Sequence, residues 1–276
     1  MLRAALFCVM LSVPLGCRHA LIALALSACA PAPVEWAAER TVMAGDDSAL
    51  VLQPDGRLTP DTMAALRGRM PMPSGPACPG SLRVASVRGT QHAVWWAPRP
   101  DSTARLMAAR SADGGRVWST PVPVDTTDVG VTGCRREPPA IAADSASGYV
   151  HVTYALQARE GPGLFFSHSM DGGASFHAPV PILYGERLGR TSVSADGDLV
   201  VVGFEDPNST TPRIGMAISH TMGHIFEDRI VPVSDDQGIA SNPLTAVRGR
   251  RVAVAWEQRG NENAPAAMAV RAGLLR

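Results

Sequence analysis

Four apolar runs of similar shape recur along the chain, at residues 92–96, 150–154, 200–204 and 252–256. Each is rich in β-branched residues and ends in an aromatic: Trp96, Tyr154, Phe204 and Trp256. Runs this short, bounded by glycine and polar turn residues, predict strands and not helices. Each has another strand-like segment before it, at 81–86, 139–143, 191–195 and 243–247. Each has another after it, at 105–110, 164–168, 214–218 and 267–270. A fourth strand follows in the first three units, at 121–124, 179–182 and 230–233. The last unit has no such segment after 267–270, and residues 36–43 read as the strand that completes it. Between that strand and the first unit lie residues 49–53 and a predicted Pro54-Asp55-Gly56 turn. The pattern also predicts a helix over 60–69, with Thr59 as N-cap and Pro60 as the first helical residue.

The turns between third and fourth strands repeat as well. Residues 111–118 read Ser-Ala-Asp-Gly-Gly-Arg-Val-Trp, and 169–176 read Ser-Met-Asp-Gly-Gly-Ala-Ser-Phe. A worn copy at 219–226 keeps Ser219, Gly223 and Phe226 but has Thr221 in place of the aspartate. The copies begin 58 and then 50 residues apart, matching a propeller-blade period of about 50. The motif resembles the Asp-box, or bacterial neuraminidase repeat, of sialidase-like β-propellers. The resemblance implies an all-β, sialidase-like β-propeller of four clear blades, or four and a degenerate fifth, after a short N-terminal extension with one helix. Members of that family have six blades, so this chain departs from it. In the family the box is structural. Ser111, Asp113, Gly115 and Trp118, with Ser169, Asp171, Gly173 and Phe176, are therefore expected to cap and anchor turns.

The N-terminus reads differently. Arg18 and His19 precede the apolar run 20–26, and Leu26-Ser27-Ala28-Cys29 matches the bacterial lipobox. The run is too short to span a bilayer. The expected division is a lipoprotein signal peptide over 1–28, a tether and N-terminal extension over 29–80, and the propeller over 81–276. Lipidation of Cys29 would place the mature chain in the bacterial cell envelope, outside the cytoplasm and anchored to a membrane. The sequence leaves open whether translation starts at Met1 or Met10. In an oxidising compartment Cys78 and Cys134 are expected to pair, since both precede an innermost strand on the same face.

Composition adds exclusions. Net charge is zero, which gives no reason to expect a nucleic-acid partner. All 25 basic side chains are arginine. Schiff-base chemistry, lysine general bases and the Walker-type phosphate loop are excluded together. No cofactor and no metal site is expected. His220 and His224 are four apart, but on a turn that spacing pairs nothing. His92 and His151 are out of register and point to opposite blade faces.

In an up-and-down blade the boxes share one face with the first turns, and the remaining loops share the other. Arg136, Arg190, Glu205, Asp206 and Glu257 fall on that second face and are the candidate ligand-binding residues. The family's catalysis, as the resemblance implies it, uses three arginines, a tyrosine–glutamate pair and an aspartate. Here Arg136-Glu137-Pro138 only partly matches the family's Arg-Ile-Pro. Tyr154 aligns with the core aromatics and Tyr149 falls on the box face. Tyr184 with Glu186 is the only candidate for the catalytic pair, and it comes early in the chain for that role. The expected role is a binding or scaffold module for a glycan, peptide or partner protein. The alternatives are an exo-acting, sialidase-like glycoside hydrolase and a decayed sialidase.

Overall fold

A strand that is apolar on both sides can be buried only between two other layers. That requirement organises this chain, whose computed structural model describes residues 32–42, 50–62, 64 and 70–276. Four strands precede the first blade: β1 (Val34–Trp36), β2 (Arg40–Val42), β3 (Leu50–Leu52) and β4 (Leu58–Pro60). Blade I is β5 (Arg83–Val87), β6 (Thr90–Pro98), β7 (Ala104–Ser111) and β8 (Val122–Asp125). Blade II is β9 (Ala140–Ala143), β10 (Val150–Ala158), β11 (Gly161–Ser169) and β12 (Val180–Tyr184). Blade III is β13 (Thr191–Asp196), β14 (Leu199–Glu205), β15 (Ile214–Ser219) and β16 (Val231–Pro232). Blade IV is β17 (Ile239–Arg248), β18 (Arg251–Arg259) and β19 (Ala267–Leu275). Each blade is an antiparallel meander, and the innermost strands β5, β9, β13 and β17 neighbour one another in that order.

The blades pack through alternating faces of their second strands. In β10, Val150, Val152, Tyr154 and Leu156 face Val94, Trp96 and Leu106 of blade I. The opposite face of blade II, with Ala155, Leu164 and Phe166, meets Val200, Val202 and Phe204 of blade III. Val201 and Met216 of blade III then meet Val252, Val254 and Trp256 of blade IV. The four recurring aromatics, Trp96, Tyr154, Phe204 and Trp256, are all fully buried.

Blade IV is completed from the N-terminal side, as its missing fourth strand required. β1 pairs with β19 in the register Val34↔Leu275 to Trp36↔Gly273. β2 pairs with the other end of β19. The β3–β4 hairpin packs Leu52 and Leu58 on the free side of blade IV, against Ala253, Ala255 and Val270. Segment 70–82 covers the free side of blade I. There Ala77 and Leu82 pack on Ala93 and Trp95, and the Trp95 and Trp118 indoles donate to the carbonyls of Pro76 and Pro71. The predicted helix is corrected at its start. Thr59 and Pro60 belong to β4, where Thr59 pairs with Val51, so neither begins a helix. Beyond them Ala64 N–H donates to the Asp61 carbonyl at 3.1 Å, while residues 63 and 65–69 lie outside the described residues, as does Cys29.

The three boxes close in one way. The Ser111 hydroxyl accepts from Gly115 N–H at 2.9 Å, and Asp113 accepts from the amides of Arg116 and Val117, both at 3.0 Å. Asp171 accepts from Ala174 and Ser175, both at 2.9 Å. Hydrogen bonds hold both carboxyls below the usual range, the Val117 amide foremost for Asp113 and the Ser175 hydroxyl foremost for Asp171. In the worn copy Thr221 Oγ1 takes the place of the carboxylate and accepts from Ile225 N–H at 2.9 Å. Gly115, Gly173 and Gly223 all have φ between 84° and 87°, a region closed to most side chains. The box aromatics are half-buried. Trp118 caps the blade I cluster, Phe176 packs over the blade I–II seam, and Phe226 meets Phe166 edge-on at 5.0 Å.

Cys78 and Cys134 form a disulfide with Cα atoms 5.2 Å apart. At the box end of the blade II–III seam, aliphatic packing gives way to rings. His151 and His168 are cross-strand partners, both buried. His177 stacks on His168 at 4.7 Å and His224 meets it edge-on at 4.5 Å. None of the ring nitrogens of His151 and His168 meets a protein hydrogen-bond partner. Burial chiefly, then neighbouring histidines, lowers both pKa values to about 4, against a weak opposing pull from Asp144 on His151.

Two predictions follow from this packing. Phe226→Ala should lower unfolding free energy by roughly 2 kcal/mol, about half the cost for a fully buried ring. Thr221→Val should cost about 1 kcal/mol through the lost acceptor. Denaturant titration measures both. The histidine seam makes stability fall with acid. Unfolded histidines bind protons near pH 6.5, while His151 and His168 resist until about pH 4. The stabilisation is complete above pH 6.5 and lost between there and pH 4, with His151 contributing up to about 3 kcal/mol. Thermal melts from pH 7.5 to 4 should show this loss, and His151→Phe should shrink it.

Candidate functional site

The starts of the four innermost strands converge on the loop face around a cavity of about 320 Å³. Its walls combine Arg83 and Val84 from blade I with Pro139 and Ile141 from blade II. Arg190 and Ser192 come from blade III, and Asn242 and Thr245 from blade IV. Hydroxyl pairs join neighbouring blades: Thr153 of β10 donates to Thr191 of β13 at 3.0 Å, and Ser192 of β13 to Thr245 of β17 at 3.3 Å.

Four charged groups gather at the mouth. Arg190 Nε donates to the Glu137 carboxylate at 3.1 Å. Glu205 donates its backbone N–H to the Arg190 carbonyl at 3.1 Å. Its carboxylate accepts from the Asn242 N–H at 2.8 Å. Asn242 sits where the β17–β18 register slips between Ser241 and Leu244, and its φ is 54°. The bulge thus turns a backbone donor toward the mouth. Gly189 is required beside it, because a Cβ there would lie 2.6 Å from the Glu205 carboxylate.

Burial raises the Glu205 pKa, opposed by the backbone groups of Asn242 and Arg190 and by the Arg190 charge, and aided by the like charge of Glu137. Burial also lowers the pKa of Arg83, with the charge of Arg190 adding and Glu137 opposing. The mouth therefore holds two guanidinium groups beside two carboxylates in unlike environments. Such a set can grip a carboxylate through arginine and hydroxyls through glutamate.

The expected ligand-binding residues separate in space. Arg190 and Glu205 come together here. Arg136 does not reach the mouth. Its guanidinium bonds Asp128 at 2.9 Å, with the two side chains 7% and 1% exposed, and lies 5.2 Å over the Trp96 ring. It also donates to the carbonyls of Gly133 and Gly130. Asp206 accepts from Asn208 N–H and caps its own turn. Glu257 lies one strand outward, 3.8 Å from Arg259. Tyr184 ends β12, the outermost strand of blade II, with its ring edge-on to Phe165. Glu186 follows it, exposed in the link to blade III. Arg83, Glu137 and Asn242 were not singled out as site residues.

Tyr154 is spoken for as well. Its hydroxyl donates to buried Asp125 at 2.6 Å, and burial first, then that carboxylate, drives its pKa up. Among the described residues, no group of three or more His, Cys, Asp or Glu is placed to hold a metal ion. A wider hollow of about 700 Å³ opens on the box face between boxes 1 and 2. Its carboxylate, Asp113, is committed to its turn.

No family model matches the chain, and no curated protein matches it. Solved structures of similar outline exist. One is a protein of unknown function from Dyadobacter fermentans, 14% identical with a TM-score of 0.42, covering 88% of this chain and 100% of that one. A Trypanosoma rangeli sialidase in complex with 2,3-difluorosialic acid is 11% identical with a TM-score of 0.48, covering 83% of this chain and 40% of that one. The NanB sialidase of Streptococcus pneumoniae is 9% identical with a TM-score of 0.46, covering 68% of this chain and 50% of that one. The chain's own sheets make it an all-β propeller of four blades.

Proposed function

We propose that this chain is a lipid-anchored envelope protein whose propeller binds an anionic, hydroxyl-bearing ligand at the loop-face mouth. An acidic glycan fits that chemistry. The observation that carries the reading is the cluster of Arg83, Glu137, Arg190 and Glu205 at a cavity walled by all four innermost strands. Arg190 supplies the exposed guanidinium, and Glu137 aligns it. A tyrosine nucleophile needs an adjacent carboxylate base. Tyr154 is locked in the core on Asp125, and Tyr184 stands on an outermost strand. Lipid anchoring rests on the Leu26-Ser27-Ala28-Cys29 sequence.

A second reading has one specific support, the raised pKa of Glu205 near Glu137. A carboxyl raised by burial can serve as the general acid in glycoside hydrolysis.

Calorimetric titration with uronic-acid and sialic-acid oligosaccharides tests binding. Arg190→Ala should weaken it at least tenfold with an unchanged melting temperature. Arg136→Ala should instead lower the melting temperature, since it leaves Asp128 buried and unpaired. Equal affinity in wild type and Arg190→Ala would overturn the site. Turnover of fluorogenic glycosides that vanishes in Glu205→Gln would establish the hydrolase reading instead. For the anchor, mass spectrometry of mature protein should find a diacylglyceryl cysteine at position 29. A free N-terminus beyond Cys29 would refute it.

A further inference from the structure

We infer that the box face of the propeller rests on the phospholipid bilayer, so that the ligand-binding mouth points away from the membrane. The inference depends on the lipid-anchor reading above and adds an orientation to it. Its first support is where the tether leaves the fold. β1 starts at Val34, paired with Leu275 at the end of β19. The third strand of each blade runs from the loop face to the box face, as β7, β11 and β15 do in reaching their boxes. Val34 therefore lies on the box face, beside the β17–β18 turn, where Leu275 N–H donates to the Arg250 carbonyl at 2.8 Å. Only five residue steps separate Cys29 from Val34. Fully extended, they reach about 17 Å. A lipid on Cys29 embedded in a bilayer cannot leave this face far from the surface.

The second support is independent of the tether. The box turns expose large apolar side chains toward the same side. Val117 and Ile225, both at the seventh box position, are each 69% exposed, and Met170 of box 2 is 47% exposed. Leu274, beside the tether exit, is 49% exposed. The box turns fold through backbone and Ser/Asp/Thr hydrogen bonds, so these tips are not needed for closure. Apolar tips around an anchored face suit shallow insertion at the headgroup boundary. Arg248, Arg250 and Arg251 in the adjoining turn supply cations for lipid phosphates.

The test uses mature lipidated protein bound to vesicles of phosphatidylcholine with phosphatidylglycerol. Val117→Cys, Ile225→Cys and, as loop-face control, Glu160→Cys are each spin-labelled. All three positions are on the surface, and the native disulfide leaves no competing thiol in the described residues. Labels at 117 and 225 should be shielded at least threefold from an aqueous nickel chelate relative to the label at 160. Vesicle-bound protein with all three labels equally accessible would overturn the docking while leaving the anchor intact. Protein that fails to sediment with vesicles and lacks lipid by mass would overturn the anchor, and the docking with it.

Discussion

Double-sided burial of the second strand in each blade is the constraint from which the rest of this structure follows. An antiparallel sheet can leave one face wet, but these sheets cannot, because Val94 and Trp96 on one side of β6 are matched by Ala93 and Trp95 on the other. Four blades in an arc bury three seams and leave two outer faces. The chain closes both with material that is not a full blade. The β3–β4 hairpin lies on blade IV and the proline-rich segment 70–82 lies on blade I. Proline suits that second task, since it covers a face without offering a strand edge that would have to be paired.

The same economy governs the boxes. A tight turn leaves amides without partners, and each box satisfies them with one serine hydroxyl and one acceptor two residues on. The substitution of Thr221 for aspartate shows what the position requires. It needs an oxygen acceptor at short reach, and no charge. This explains how the motif can wear without the turn being lost, and why its aspartates are unavailable for chemistry.

The loop face has the opposite character. It gathers charge at the mouth of the cavity. A bulge at Asn242 and a close approach at Gly189 hold the Glu205 carboxylate in place. Arg136 marks the difference between a charge that builds the fold and one that faces solvent. Sunk against Trp96 and paired with Asp128, it ties the blade I–II link, while Arg190 remains exposed beside Glu137.

The sequence by itself determined the blade pattern, because strand periodicity, box turns and core aromatics are local signals that repeat. It also placed Cys78 with Cys134 and the closing strand on blade IV, since equivalent positions in successive repeats become neighbours in a ring. Tertiary structure decided what locality could not carry. Thr59-Pro60 has the chemistry of a helix start, yet pairing with β3 holds it in a strand. Arg136 and Arg190 look alike as sequence, and only packing buries one and leaves the other at the mouth. Arg83, Glu137 and Asn242 come from three different blades, so no spacing along the chain announces them. The histidines of the blade II–III seam lie up to 73 residues apart. They meet only because adjacent blades bring the ends of different repeats together.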